Sequence, residues 1–111
     1  MDVNRFLLSL LHSLSGLDFV KTADLSTEAF IVKGRVLLEK ERFLQVYYNE
    51  LTGTTAFALI ENGQRIWGID YDNLRGWHVH PVHQPGSHVE TGPMSIEEIT
   101  SALHKAWTEL P

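Results

Sequence analysis

Cysteine is absent from the 111-residue chain. Its absence excludes a disulfide framework, a zinc–thiolate site and a thiol nucleophile, and it fits the reducing environment of the cytosol. Long hydrophobic runs are absent too, since no stretch approaches the roughly 20 apolar residues that a membrane-spanning helix needs. These absences predict a cytoplasmic protein without a membrane partner.

Several common catalytic motifs are missing as well. The chain has no phosphate-binding glycine loop, dinucleotide-binding fingerprint, serine nucleophile elbow or zinc-protease helix. It also lacks an excess of positive charge, because 14 acidic residues outnumber 9 basic ones and give a formal net charge of -5. A protein that coats nucleic acid through its whole surface is therefore disfavoured, whereas a local basic groove remains open.

The chain does have the composition of one ordinary globular domain, 1–111, with 43% hydrophobic and 21% charged residues. Its first residues hold an apolar run that has to be tested as a signal peptide. Asp2 lies where such a peptide needs basic residues, and His12 interrupts the apolar part. We therefore expect 1–15 to be a helix of the mature protein, with an apolar stripe formed by Phe6, Leu7, Leu10, Leu11 and Leu14.

Between 17 and 72 the hydrophobic period changes to that of β-strands. We predict an antiparallel meander of about five strands over this range. The strongest turn signal is Asn62-Gly63, because both central positions of a two-residue hairpin need positive φ. With these residues in the turn, the strands should pair Leu59 with Ile66, Phe57 with Gly68 and Thr55 with Asp70.

A second turn signal, Thr52-Gly53, extends this register to the preceding strand and predicts that Val46 faces Leu59. The sheet then has a core face, at whose end carboxylates should gather, namely Glu50, Asp70 and Asp72. The opposite face is also unusually apolar for a sheet with one face in water. Either the two helices cover opposite faces, or a second copy or a partner protein covers one of them. We therefore expect a homo-oligomer.

The segment 73–93 is rich in glycine, proline and histidine, and we predict a histidine-rich loop there. A helix should follow over 95–109, because Ser95 and Glu98 form a capping box ahead of an apolar stripe. The chain is therefore predicted to have an α+β fold, with an N-terminal helix, an antiparallel meander and a C-terminal helix.

The histidines of this loop are the best candidates for chemistry. His78 and His80 project to one side of an extended segment, so they could chelate a metal with Asp72 or His88 as further ligands. The alternative is a solvated loop whose histidines hydrogen-bond backbone carbonyls or stack on Trp77. The sequence identifies neither a cofactor nor a particular metal.

The charged residues near the histidines also allow two interpretations each. Asp72 either contributes to the site or supports a turn through its side chain. Arg75 either binds phosphate or pairs with Asp72. Glu50 and Asp70 are either acid–base groups or plain charges at the edge of the sheet, and the plain interpretation is favoured.

The segment 70–80, Asp-Tyr-Asp-Asn-Leu-Arg-Gly-Trp-His-Val-His, resembles the signature of the TumE-type toxin family. That signature has a Tyr-Asp-Asn strand end, a glycine and then closely spaced histidines, and Trp77 stands where many members carry another histidine. The similarity extends from about Gly34 through the C-terminal helix. It implies the toxin component of a toxin–antitoxin system, neutralised by a neighbouring antitoxin protein. The signature positions fall on Asp72, Asn73, His78 and His80.

The residues and the resemblance together predict a toxin-like protein, with cleavage of RNA as its hypothetical activity. One of His78 and His80 would take a proton from the ribose 2′-hydroxyl, while the other or His88 protonates the leaving oxygen. Arg75 would hold the phosphate, and Asp72 would orient a ring. The candidate catalytic set is Asp72, Asn73, Arg75, His78, His80 and His88.

Two other classes of protein remain. The first is a non-catalytic protein that binds a partner or a metal through the meander, and it predicts a tight complex without turnover. The second is a small metal-binding barrel of the cupin type, suggested by His78, His80 and Glu90. The spacing from His80 to Glu90 is longer than the usual cupin pattern, which disfavours the barrel.

Overall fold

The computed structural model describes residues 1–111 and confirms an α+β fold. One helix precedes the strands of a single antiparallel sheet in the sequence, and one helix follows them. The sheet has seven strands in sequence order, so each strand pairs with the next along the chain. The elements are α1 (Val3–Leu14), β1 (Val20–Glu28), β2 (Ile31–Leu38), β3 (Phe43–Asn49), β4 (Thr55–Glu61), β5 (Gln64–Asp72), β6 (Gly76–His80), β7 (Val89–Glu90) and α2 (Ile96–Glu109).

The strand count exceeds the predicted number because the segment 73–93 is not all loop. Strand β6 pairs with β5, and the short β7 pairs with β6. The β5–β6 turn is supported by Asp72, whose Oδ1 accepts hydrogen bonds from the backbone N–H groups of Leu74 and Arg75. Gly76 follows with φ of 70°, a conformation that favours glycine. This turn contains no Asn-Gly pair, the signal by which the first hairpin was predicted, and the sequence therefore did not predict a hairpin here.

The turn predicted at Asn62-Gly63 is present, with φ of 52° and 75°, and Glu61 pairs with Gln64 across it. The predicted register holds as far as the pair Ile60 and Arg65. Beyond that pair it is wrong, because a β-bulge places one extra residue, Ile66, in β5. Opposite partners are therefore Leu59 with Trp67, Phe57 with Ile69 and Thr55 with Tyr71.

This bulge exchanges the two faces of β5, since side chains alternate along a strand. Trp67 and Ile69 become buried in the core, whereas Asp70 and Asp72 turn to the opposite face. The predicted gathering of carboxylates at the end of the core face is thus wrong. Glu50 instead accepts a hydrogen bond from the backbone N–H of Val3 at the start of α1, at 3.0 Å.

The β3–β4 register also differs from the prediction, but without exchanging faces. Val46 pairs with Phe57 rather than with Leu59, a shift of two residues. The reason is a longer loop: the backbone N–H of Asn49 donates to the carbonyl of Thr54, so the residues between them form the connection. A shift of two preserves side-chain direction, and the predicted core residues of both strands are buried.

Both helices pack against the same face of the sheet. Their buried side chains join those of the strands in one core, where the Phe6 and Tyr48 rings stack with centroids 4.1 Å apart. The opposite face, which we call the outer face, carries half-buried apolar side chains between β2 and β5. Of the two alternatives that the sequence left open, the one in which the helices cover opposite faces is therefore wrong. The buried helix residues are Phe6, Leu10, Leu14, Ile96, Ile99, Leu103 and Ala106.

The ends of the helices follow the capping rules. Asp2 caps α1 by accepting from the backbone N–H of Arg5 at 2.8 Å. The predicted capping box of α2 is confirmed, with the Ser95 side chain accepting from the Glu98 N–H and the Glu98 side chain from the Ser95 N–H. Neither helix has the length and apolar character needed to cross a membrane.

Candidate functional site

The pairing of β5 with β6 creates the candidate site on the outer face of the sheet. Asp70 lies opposite His78, and Gly68 lies opposite His80. The intervening Ile69 points into the core. Because residues two apart on a strand share a face, Asp70, His78 and His80 all project to the side away from the helices.

The carboxylate of Asp70 lies between the two imidazoles. Its Oδ2 is 3.0 Å from His80 Nε2 and 3.4 Å from His78 Nε2. A third group, Arg65, lies farther off, with Nη1 at 4.0 Å from the same oxygen. One carboxylate oxygen therefore contacts both rings, while its one cationic neighbour is only at the limit of an ion pair.

The other ring nitrogens of both histidines face backbone carbonyls. His78 Nδ1 is 3.3 Å from the carbonyl oxygen of Gly76, and His80 Nδ1 is 3.1 Å from that of Pro85. Carbonyl and carboxylate oxygens both accept hydrogen bonds, so both ring nitrogens of His80 face acceptor oxygens. His78 has the Gly76 carbonyl at Nδ1 and the Asp70 carboxylate near Nε2.

A third imidazole completes the group. His88 immediately precedes β7, and its ring centroid is 5.1 Å from that of His78 and 4.6 Å from that of His80. One nitrogen from each of the three rings lies within 4.8 Å of the others. We call His78, His80, His88 and Asp70 the histidine cluster.

Water reaches the members of the histidine cluster unequally. The residues His78 and His80 are only 2% and 1% exposed, whereas His88 is exposed. The Pro85 carbonyl that binds His80 shows that the chain after β6 folds back over the rings. In this dry environment His78 Nε2 has no hydrogen-bond partner, since its contact with Asp70 lacks hydrogen-bond geometry.

The pKa of His88 is lowered from the usual imidazole value. The largest cause is loss of surrounding water, followed by the proximity of His80 and then His78. Both effects disfavour the charged imidazolium.

Glycine at position 68 leaves room beside His80. A Cβ atom there would lie 2.9 Å from the carbonyl oxygen of Phe57 and 3.6 Å from Cδ2 of His80. The first distance is shorter than real Cβ contacts, so any side chain would push β4 and β5 apart. The close approach of these strands beside the histidine cluster thus requires glycine.

The cluster borders a surface cavity of about 320 Å³. His78 and His88 line it together with Arg75, whose guanidinium is largely exposed. A ligand in this cavity would therefore meet two imidazoles and one cationic side chain. The remaining lining residues are Leu74 and Glu90.

The other predicted site residues lie in the β5–β6 turn. Asp72 Oδ2 is 3.2 Å from Arg75 Nε, and Asn73 Oδ1 accepts a hydrogen bond from the Tyr71 hydroxyl at 3.1 Å. Hydrogen bonds from the backbone N–H of Arg75 lower the pKa of Asp72. Asp72 makes no hydrogen bond to a histidine; the carboxylate that contacts the rings is Asp70.

Asp70 is the residue that the sequence failed to place in the site. From the sequence, the plain interpretation of its charge is favoured, and the predicted hairpin places it on the core face. Recognising Asp72 as a turn former would have closed a β5–β6 hairpin with Asp70 opposite His78. That signal is present in the sequence, and it concerns a different strand pair from the Asn62-Gly63 turn.

The remaining histidines lie outside the cluster. His83 lines a separate cavity beside Trp67 and Lys105. His104, on α2, stacks on Phe19 with ring centroids 6.2 Å apart. The chemistry of the site therefore belongs to three of the six histidines.

The arrangement supports two kinds of chemistry. Imidazoles oriented by a carboxylate can transfer protons, and the cavity gives such a reaction access through His88. The same nitrogen and oxygen atoms can act as ligands of a metal ion. The chain matches no family model, no curated protein and no solved structure.

Proposed function

We propose that this protein is a toxin-like ribonuclease of a toxin–antitoxin system and that RNA cleavage takes place at the histidine cluster. The observation that carries the proposal is the convergence of three imidazoles and a carboxylate beside a cavity lined by Arg75. Phosphodiester cleavage needs a group that activates an oxygen nucleophile and a cation that binds phosphate. The cluster and Arg75 offer these two functions side by side.

The charge of the chain limits how RNA could bind. With a formal net charge of -5, the whole surface does not attract a polyanion. Arg75 and Arg65 both lie near the histidine cluster and would supply local positive charge. We therefore propose that RNA is bound through a few contacts at this cavity rather than along the whole protein.

The resemblance of segment 70–80 to the TumE-type signature supports the toxin assignment. A neighbouring antitoxin protein is accordingly the proposed partner. The outer face offers half-buried apolar side chains for such a contact or for a homo-oligomer, including Phe43, Tyr47 and Ile60. Light scattering of the protein alone and with its neighbouring gene product would separate these two partners.

The test of the proposed function is inducible expression in a bacterial host. We expect the unaltered protein to arrest growth and to cause loss of RNA, and the double variant His78→Ala/His80→Ala to do neither. His12→Ala is the matched control, because His12 is exposed on α1. Circular dichroism establishes that each variant folds. Arrest by the folded double variant would overturn the proposal.

The second candidate is a non-catalytic binding protein, which the half-buried apolar residues of the outer face favour. It predicts a stable complex with a partner protein and no degradation of RNA by the purified protein. The growth experiment and a ribonuclease assay on purified material distinguish the two candidates.

A further inference from the structure

We propose that the histidine cluster binds one divalent transition-metal ion of the zinc class, through His78 Nε2, His80 Nε2, a ring nitrogen of His88 and the carboxylate of Asp70. This inference deepens the proposed function and rests on it for the reaction. The binding of the ion is measured independently of any reaction. Four observations support the site, namely the orientation of the rings, an unpartnered buried nitrogen, the spacing of the donor atoms and their chemical type.

The first support is the orientation of the imidazole rings. Nδ1 of His78 and of His80 faces a backbone carbonyl, that of Gly76 and of Pro85 respectively, and both Nε2 atoms face Asp70 Oδ2. Metal-binding histidines in proteins characteristically hydrogen-bond a carbonyl or a carboxylate through their second ring nitrogen in this way. The two rings are therefore already oriented as ligands of one ion would be.

The second support is a buried nitrogen without a partner. His78 Nε2 is buried and has no hydrogen-bond partner. It lies 3.4 Å from Asp70 Oδ2, and the same oxygen lies 3.0 Å from His80 Nε2. A cation among these atoms would give the nitrogen a partner and would offset the charge of the carboxylate.

The third support is distance. Ligand atoms about 2.0–2.1 Å from a tetrahedral zinc ion lie roughly 3.3 Å from one another. The two distances from Asp70 Oδ2 to the imidazole nitrogens bracket this value. The three histidine nitrogens span up to 4.8 Å, so His88 has to move inward. His88 is the exposed member of the cluster and can do so by side-chain rotation.

The donor types select the class of ion. Three imidazole nitrogens and one carboxylate oxygen suit zinc and its neighbours among the late first-row metals. Magnesium and calcium prefer oxygen ligands, of which this site has only Asp70. The chain contains no cysteine, so no thiolate competes for the ion.

Metal binding would change the role of the histidines in the proposed reaction from proton transfer to ligation. With His78, His80, His88 and Asp70 all bound, these four ligands would complete the tetrahedral shell of the ion. The ion would then supply positive charge, beside that of Arg75, to a phosphate in the adjoining cavity.

The test uses the full-length protein stripped of metal with a chelator. We expect zinc titration by calorimetry to show one ion per chain, and cobalt(II) to give the visible absorption of a four-coordinate nitrogen and oxygen site. His88→Ala should weaken zinc binding at least tenfold, and magnesium should not compete. His83→Ala, in the segment between β6 and β7 but outside the cluster, should bind zinc as the unaltered protein does.

His88→Ala is the decisive variant, because His88 is exposed and its loss leaves the buried rings in place. Absence of zinc binding by the unaltered protein would overturn the inference, as would equal affinity of the folded His88→Ala variant. Zinc binding without RNA cleavage would uphold the metal site and overturn the ribonuclease proposal. If the protein binds no zinc but cleaves RNA, the ribonuclease proposal is upheld and the metal site is overturned.

Discussion

Asp70 Oδ2 lies 3.0 Å from His80 Nε2, although Asp70 pairs directly with His78 and only diagonally with His80. Diagonal neighbours on one face of an antiparallel pair are within reach when side chains are long enough. The carboxylate therefore connects two histidines that do not contact each other through a hydrogen bond. Its position makes Asp70 the organising residue of the cluster.

Replacing this carboxylate by an amide tests that role. We expect Asp70→Asn to fold but to lower kcat for RNA cleavage by about 10²-fold or more, with a smaller change in KM, because the amide removes the charge that orients the rings. Asp24→Asn is the matched control, since Asp24 is an exposed carboxylate on β1 of the same sheet. Cleavage by folded Asp70→Asn at the unaltered rate would show that the carboxylate has no part in the reaction.

A second prediction concerns the backbone beneath the cluster. Gly68→Ala should lower the free energy of unfolding by about 1–3 kcal/mol, because its Cβ would meet the Phe57 carbonyl oxygen at 2.9 Å and force β4 from β5. Gly92→Ala is the control, as a Cβ there has no neighbour within 4 Å. Urea denaturation of the three proteins measures the difference. Equal midpoints for Gly68→Ala and the unaltered protein would mean that the strands accommodate the methyl group.

The parts of the fold that depend on local signals could be predicted from the sequence. The Asn62-Gly63 turn, the Ser95 and Glu98 capping box and the apolar stripes of both helices are all properties of a few neighbouring residues. Such signals are independent of the rest of the chain. They were sufficient for both helices, for the meander up to residue 72 and for most of the core.

The face of the sheet on which the site lies depends on a feature that no local signal predicts. The bulge at Ile66 adds one residue to β5 and moves Asp70 from the core face to the outer face. Whether a strand contains a bulge is decided by packing, and here the shift buries Trp67 and Ile69 in the core. Sequence periodicity alone could therefore identify His78 and His80 as candidates, but it could not place them and Asp70 on the outer face.

The last prediction concerns the N-terminus of α2 and the pH dependence of stability. Hydrogen bonds with the Ser95 backbone and side chain lower the pKa of Glu98 from the usual value of 4.5. A carboxyl group whose pKa is lower in the folded protein stabilises it above the unfolded-state pKa, and this contribution is lost as pH falls through the folded-state value. The capping box should therefore weaken in acid.

Glu98→Gln removes the titration but keeps a side-chain oxygen that can accept from the Ser95 N–H. We expect this variant to be less stable than the unaltered protein at pH 7 and to approach it as the pH falls below about 4.5. Glu97→Gln is the matched control, because it removes one charge from the same helical turn without a hydrogen bond to Ser95. Urea unfolding across this pH range gives the comparison. If the stability difference for Glu98→Gln stays constant with pH, the Glu98 carboxylate makes no charge-dependent contribution to the cap.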